Sequence, residues 1–90
     1  MNEKLIEKKF KNGVKKKGGL AVKFTSPFFT GMPDRLVLMP GRIVHWAELK
    51  TTGKELSPRQ KVVRKMLTAL GFPVWVIDGE ETLNEFLNEI

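Results

Sequence analysis

The chain has 90 residues and an ordinary apolar content of 41%, which predicts one globular domain over residues 1–90. Sixteen basic residues outnumber ten acidic residues, so the formal net charge is +6. The absence of cysteine excludes disulfide frameworks, thiolate nucleophiles and cysteine-ligated zinc. The N-terminal stretch MNEKLIEKKF lacks the apolar core of a signal peptide, and no window approaches the roughly 20 apolar residues of a membrane span. We therefore expect a cytoplasmic protein without a membrane partner.

The N-terminal stretch is predicted to be a basic helix over residues 2–17. Apolar residues recur there at helical spacing, and Gly18-Gly19 would end the helix. Residues 1–23 contain eight lysines against two glutamates and so carry the whole net charge, since the other residues hold eight basic and eight acidic side chains. Such a block indicates a polyanionic partner, nucleic acid ahead of an anionic membrane. A merely solvated helix face is the alternative interpretation.

Three strands are expected to follow the helix. They are short runs rich in strand-forming residues, and the loop over residues 26–33 between the first two contains two prolines and a glycine. The second and third strands are close enough in sequence to form a hairpin around Pro40-Gly41. The predicted strands are Leu20–Thr25, Asp34–Met39 and Ile43–Lys50.

The last third of the chain is predicted to form a helix, a strand and a short final helix. Ser57 is expected to cap the first of these helices, with Gln60 closing a capping box, and the helix would run to about Leu70. The apolar run Val74–Ile77 is typical of a buried strand, and Asp78 is expected to start the final helix. The fold class is therefore α/β, in the order αβββαβα, with a mixed four-stranded sheet flanked by helices and a right-handed crossover into the last strand.

The hairpin carries three ionisable residues whose placement depends on the loop length. A three-residue loop at residues 40–42 would place Asp34 directly across from Glu48, with Lys50 on the same face. A two- or four-residue loop would place the two carboxylates on opposite faces, and the sequence alone leaves both open.

Two opposed carboxylates repel each other unless a cation lies between them, and their hard oxygens favour Mg²⁺ or Mn²⁺ over zinc. A lysine beside such an ion suits phosphodiester hydrolysis, in which it would orient water and stabilise charge on the phosphate. The alternative is a surface salt bridge between Lys50 and one carboxylate.

The motifs Gly31-Met32-Pro33-Asp34-Arg35 and Glu48-Leu49-Lys50 resemble the signature of PD-(D/E)XK nucleases. More closely, GMPDR, AELKTTGKELSPRQ and LGF, in that order, resemble the VRR-NUC family, in particular its short stand-alone phage members. The resemblance extends from about Glu3 to Ile77. It implies a restriction-endonuclease-like core and a metal-dependent DNA endonuclease in a bacterial or phage-infected cell.

The resemblance also implies roles for individual residues. Asp34 and Glu48 match the metal-binding acids and Lys50 the catalytic lysine, while the main-chain carbonyl of Leu49 would also touch the metal. Glu7 best matches a further metal-binding acid on the first helix, with Glu3 as the alternative. Gln60 matches the glutamine after the SP motif, where a catalytic role and a capping role are equally open.

The resemblance further implies branched substrates, such as four-way junctions, and a homodimer, because a two-fold symmetric junction needs two cuts. The rival hypotheses are a non-catalytic nucleic-acid-binding module on the same fold and a small assembly protein. Phosphate contacts are expected from the residues Lys8, Lys11, Lys15, Lys23 and Lys54.

Three aromatic residues outside the motif are further functional candidates. His45 is expected to face away from Glu48, as a core or surface histidine rather than a general base. Phe28 and Phe29 lie in the loop before the motif, where stacking on bases, a dimer contact and packing into the core are all open interpretations.

Overall fold

The structure is a computed structural model that describes residues 2–90. Its element order is αβββαβα, as expected from the sequence. No helix within residues 2–90 is long and apolar enough to cross a membrane. The elements are α1 (Glu3–Lys16), β1 (Leu20–Lys23), β2 (Arg35–Met39), β3 (Ile43–Leu49), α2 (Pro58–Ala69), β4 (Val74–Ile77) and α3 (Glu80–Glu89).

Helix α1 forms because one face is apolar and both ends are capped. The Asn2 side chain accepts a hydrogen bond from the Leu5 N–H at 2.9 Å. The buried side chains are Ile6, Phe10 and Val14, at the spacing that predicted the helix. Gly18 ends it with a φ of +84°, a left-handed conformation that glycine adopts without a steric penalty.

The four strands form one mixed sheet in the order β1-β2-β3-β4. Strands β1, β2 and β3 form an antiparallel meander, and β4 pairs with β3 in parallel. Met39 pairs with Ile43, so the hairpin loop has three residues, Pro40 to Arg42. Gly41 and Arg42 both have positive φ, +84° and +65°, which closes this loop and fixes the register.

The alternation of side chains divides the sheet into two faces. The core lies on the face that packs against α1 and α3, where Val37, Ala47 and Leu49 are buried with Phe10 and Phe86. Helix α2 lies on the other face and buries Val63 there, outside that core cluster. The sheet is therefore flanked by helices on both faces, as predicted, and Asp34 and Glu48 belong to the α2 side.

The two C-terminal helices differ in how well their starts were predicted. Ser57 caps α2, and the reciprocal hydrogen bonds of a capping box link Ser57 and Gln60. The expected start of α3 at Asp78 was wrong, because the helix begins at Glu80 after Gly79. The Thr82 hydroxyl accepts from the Asp78 and Gly79 N–H groups at 3.0 and 3.2 Å. That hydroxyl also lies 3.1 Å from the Asp78 carboxylate, which is therefore engaged there instead of capping the helix.

Candidate active site

The start of β2 and the end of β3 hold two carboxylates against each other's strand. The hairpin pairs residues whose numbers sum to 82, as in Arg35 with Ala47, and continuation of this register sets Asp34 opposite Glu48. The Asp34 N–H donates to Glu48 Oε2 at 2.9 Å, and the Leu49 N–H donates to Asp34 Oδ1 at 3.1 Å. The three-residue loop is thus the alternative that occurs, and it brings Asp34 and Glu48 together on one face.

Glu48 is almost fully enclosed, with 4% of its surface exposed. Its Oε1 atom accepts a 2.6 Å hydrogen bond from Nε2 of Gln60, on the first turn of α2. The Lys50 ammonium lies 3.9 Å from the same oxygen. Gln60 also closes the capping box through its own Oε1, which accepts from the Ser57 N–H at 2.8 Å. One side chain therefore caps α2 and orients Glu48, so the capping role of Gln60 is confirmed and its catalytic role stays a prediction.

The carboxylates are hard to ionise in this setting. Burial, followed by the charge of Asp34, raises the pKa of Glu48 from 4.5 to about 7, against the opposing effects of the Asp34 N–H, Lys50 and Arg35. The pKa of Asp34 is also raised, mainly by burial, although the Leu49 N–H and Arg35 oppose the shift and Glu3 adds to it. A cation between Asp34 and Glu48 would offset the repulsion between their negative charges and so favour the ionised form of both carboxylates.

Arg35 forms a link between Asp34 and helix α1. It is 8% exposed, and its Nη1 lies 3.0 Å from both Oδ2 and the main-chain oxygen of Asp34. Its Nη2 lies 3.4 Å from Glu7, whose other oxygen is 3.8 Å from Lys23. Glu7 thus faces the sheet as expected, but the arginine stands between it and Asp34. Glu3, the alternative acid, acts on the charge of Asp34 from one turn earlier.

The donor set fits a hard divalent cation at Asp34 and Glu48. Both supply carboxylate oxygens, and the main chain of Leu49 passes beside Asp34. Within residues 2–90, no three His, Asp or Glu side chains lie close enough together to hold a metal ion. A cation here would therefore rest on two carboxylates, with a third acid reaching it only if Glu7 or Glu3 changed its position.

Basic side chains line grooves on two sides of the site. A groove of about 410 Å³ along α1 contains Lys8 and Lys11, and a second of about 170 Å³ between α1 and β1 contains Lys11 and Lys23 beside Arg35. Lys15 is exposed further along α1. Lys54 lies apart from these, across the molecule, in a groove of about 420 Å³ against α2. The predicted phosphate-contacting lysines therefore form one group on α1 and β1, with Lys54 separate.

The three aromatic candidates outside the motif differ in their burial and contacts. His45 packs against Phe86 with ring centroids 5.8 Å apart, on the face away from Glu48, and burial lowers its pKa. Phe29 is partly exposed beneath the Arg59 guanidinium, 5.1 Å from its ring. Phe28 is fully exposed, so packing into the core was the wrong one of its three interpretations.

Sequence reasoning missed two features of the site. Arg35 sits at an inward-facing strand position among apolar neighbours, and a charged residue in such a place needs an acidic partner, which is a signal visible in the sequence. The second feature is a basic cluster on α2, at the i, i+3 and i+4 spacing of one helix face, which lines the same groove as Lys54. Its members are Lys61, Arg64 and Lys65.

Comparison with known proteins places this arrangement in context. No family model matches the chain. A protein of Acyrthosiphon pisum secondary endosymbiont phage 1, named "Putative nuclease p44", is 40% identical over 81 residues, which cover 90% of this chain and 87% of that protein. A solved structure named "VRR_NUC domain" superposes with a TM-score of 0.88 over 96% of this chain and 94% of its own, at 23% identity. That second likeness shows a shared fold.

Proposed function

Because this chain belongs to the VRR-NUC family, we propose that it is a nuclease, and more narrowly a Mg²⁺- or Mn²⁺-dependent endonuclease that hydrolyses phosphodiester bonds in DNA. The single observation that carries the proposal is that the side chains of Asp34, Glu48 and Lys50 lie close together at one end of the hairpin. A domain that only binds nucleic acid has no need of a buried glutamate, Glu48, whose pKa is raised by burial and by the neighbouring charge of Asp34.

The metal ion would be held by the carboxylates of Asp34 and Glu48 and the main-chain carbonyl of Leu49, with Glu7 or Glu3 as the acid from α1. A divalent ion bound there supplies positive charge that polarises the phosphoryl oxygen and acidifies a water molecule. Glu48 accepts from the Asp34 N–H and from Gln60, so its carboxylate is fixed in orientation before any ligand arrives. That preorganisation favours a precise position for the ion.

Lys50 is the cationic side chain of the site. Its ammonium group lies 3.9 Å from Glu48, close enough to hold a water molecule beside the phosphate and to stabilise negative charge that develops on the phosphoryl oxygens. Gln60 acts indirectly, by orienting the Glu48 carboxylate. Asp34, Glu48, Lys50 and Gln60 together would then bind, orient and stabilise the reacting groups.

The DNA would be bound largely through its phosphates. Lys8, Lys11, Lys15 and Lys23 lie on or next to α1, and within residues 2–90 the first three form no ion pair that would compete with a phosphate. Lys54 would contact the backbone on the other side of the site. Such contacts position the duplex without reading its sequence.

We further propose that the substrate is branched, as in a four-way junction, and that the protein acts as a homodimer in the cytoplasm of a bacterial or phage-infected cell. An apolar area on the α2 side of the sheet supports self-association, since Leu20, Leu38 and Val44 are exposed there next to one another. No basic residue of β1–β3 lies on that face, so the lysine-rich helix on the opposite face would not oppose pairing.

The test is cleavage of a labelled four-way junction and a matched linear duplex in Mg²⁺, Mn²⁺ or EDTA. The wild type should cut only with metal, while Asp34→Asn and Lys50→Ala should lose at least about 100-fold in rate, as expected when a charge-stabilising group is removed. Glu85→Gln, an exposed change on α3, is the control that should cut normally. Sedimentation velocity of the same samples measures whether the protein is a monomer or a dimer.

Three outcomes would count against the proposal. Cutting by Asp34→Asn at the wild-type rate would remove that residue from the site. DNA binding without cleavage under any metal would make the protein a binding module. Equal cutting of junction and duplex would leave the nuclease standing and remove the preference for branched DNA.

A further inference from the structure

Phe28 is the most exposed apolar side chain of the described residues, at 101% of its reference surface. It lies in the loop between β1 and β2, six positions before Asp34. Full exposure of a phenyl ring forgoes roughly 1.5–3 kcal/mol that burial would provide. Phe10 and Phe86 by contrast are buried, and Phe72 is half exposed. Phe28 is therefore an apolar ring that is held in water and free to bind a partner, in the loop that leads to Asp34.

The loop that presents Phe28 is fixed by the first turn of α2. The Arg59 side chain donates from Nε to the main-chain oxygen of Thr30 at 3.1 Å, and its guanidinium lies over the Phe29 ring. Gly31 has a φ of +90° and packs so closely that a Cβ atom there would lie 2.7 Å from Arg59 Cγ and 2.8 Å from the Arg59 carbonyl oxygen. The loop is therefore braced by Arg59 over the three residues that directly follow Phe28.

The same helical turn also holds the site. Gln60, the residue after Arg59, donates to Glu48 at 2.6 Å. The position of the Phe28 loop and the orientation of the Glu48 carboxylate therefore depend on adjacent residues of one rigid element. The span from Phe28 to Asp34 is at most about 20 Å of extended chain, which corresponds to roughly six nucleotides of one strand.

The surroundings favour a polyanion over a protein as the partner of this ring. No acidic residue occurs between Glu7 and Asp34, and cationic Lys23 and Arg59 flank the loop. The exposed apolar area of the sheet, at Leu20 and Leu38, lies at the opposite end of β1, so Phe28 does not extend it. A protein interface needs a contiguous apolar patch, whereas base stacking needs one ring with cations nearby.

We propose that Phe28 stacks on a base of the bound DNA where the regular stack is interrupted, within about six nucleotides of the bond to be cut. The inference rests on the proposed function, and it adds the ligand class: an unpaired or unstacked nucleobase, as at a branch point, a flap or a single strand. Inside continuous duplex every base face is already covered by its neighbours, so the ring has nothing to stack on without opening the helix. Phe28 would thus select for interrupted DNA, while the lysines bind any phosphate backbone.

The experiment measures DNA binding in EDTA, so that it does not depend on cleavage. Wild type, Phe28→Ala, Phe28→Leu and the control Phe72→Ala are titrated with a four-way junction, a single strand and a linear duplex. Phe28→Ala should weaken binding to the first two roughly 10-fold or more, and change duplex binding less than about twofold. Phe28→Leu should recover only part of the loss, since leucine is apolar but has no π face. Phe72→Ala should match wild type.

A 2-aminopurine base at the branch point provides a second readout. Its emission should change when wild type binds and not when Phe28→Ala binds. Equal losses on branched and duplex DNA, or an unchanged 2-aminopurine signal for both proteins, would overturn the stacking role. A lowered sedimentation coefficient for Phe28→Ala with DNA binding intact would make the residue a subunit contact instead. If Phe28→Ala selectively loses binding to branched and single-stranded DNA, while the wild type cleaves no DNA under any metal, the stacking role would be supported and the nuclease function refuted.

Discussion

Individual residues in this protein serve more than one element at once. Gln60 is the clearest case, because its amide oxygen closes the capping box of α2 while its amide nitrogen binds Glu48. Arg35 behaves similarly, with one end on Asp34 and the other on Glu7. A domain of 90 residues buries a small core and has few stabilising contacts. Side chains that contact both the site and a helix therefore couple the geometry of the site to the stability of the fold.

The raised pKa of Glu48 leads to a prediction about the metal-free protein. In the native state the carboxyl group of Glu48 keeps its proton up to about pH 7, whereas in the unfolded chain the same group releases it near pH 4.5. The native state therefore binds more protons between these values, and stability should fall as pH rises through that window, with the full loss present above about pH 7. Asp34, whose pKa is also raised, acts in the same direction.

The measurement is urea unfolding in EDTA at several pH values from 5 to 8, for wild type and Glu48→Gln. The variant should show a shallower fall in stability with pH, together with a constant offset, because an amide has only one oxygen for the two hydrogen bonds that Glu48 accepts. Glu85→Gln, at an exposed position, should reproduce the wild-type slope. Identical slopes for wild type and Glu48→Gln would contradict the raised pKa.

At the scale of elements, the β2–β3 hairpin determines whether the site exists. Its three-residue loop sets Asp34 and Glu48 on one face, and one change of register would separate them. The loop is closed by Gly41 and Arg42 in left-handed conformations, of which the second is strained for a residue with a side chain. Helix α2 then completes the site by covering Glu48. Two elements thus define one side of the candidate active site.

Substitutions at Arg42 should reveal the strain in this loop. The side chain is exposed, so its backbone conformation dominates the effect. Arg42→Asn should raise the free energy of unfolding by about 0.5 kcal/mol, since asparagine tolerates this conformation, and Arg42→Val should lower it by about 1–2 kcal/mol. Arg42→Lys, which keeps charge and strain, should match wild type. Thermal and urea unfolding measure all three, and equal stabilities for the asparagine and valine variants would refute the argument.

Across the whole molecule, the basic residues form two separate groups, one on each side of the sheet. The lysines of α1 lie on one side of the sheet, and the exposed apolar side chains of Leu20, Leu38 and Val44 lie on the other. A second basic group, including Lys54 and Arg64, follows α2. This distribution leaves separate surfaces for DNA and for a second subunit, so that the two proposed partners need not compete.

The salt dependence of DNA binding tests the role of α1. Replacing Lys8, Lys11 and Lys15 together with glutamine should reduce the slope of log K against log salt by about 2.7, if each contacts one phosphate. Lys9→Gln on the same helix is the control, because Lys9 is already paired with Glu80 at 3.0 Å and should change the slope far less. An unchanged slope for the triple variant would show that DNA does not follow α1.

The sequence by itself determined the element order and most element bounds, because these depend on local signals. Apolar spacing predicted α1, the Ser57–Gln60 box predicted the start of α2, and the run at Val74–Ile77 predicted β4. The motif residues identified the family, and their order along the chain named the candidate acids and lysine. The predicted start of α3 was wrong because the Asp78 carboxylate accepts a hydrogen bond from the Thr82 hydroxyl instead of capping the helix.

Only the tertiary structure decided which of these residues meet. Hairpin register depends on the φ values of Gly41 and Arg42, and several loop lengths were compatible with the sequence. Contacts between distant segments, such as Gln60 with Glu48 and Arg35 with Glu7, arise from the packing of helices on both faces of the sheet. The exposure of Phe28 likewise follows from how α2 braces a loop 30 residues away in sequence, which no local pattern encodes.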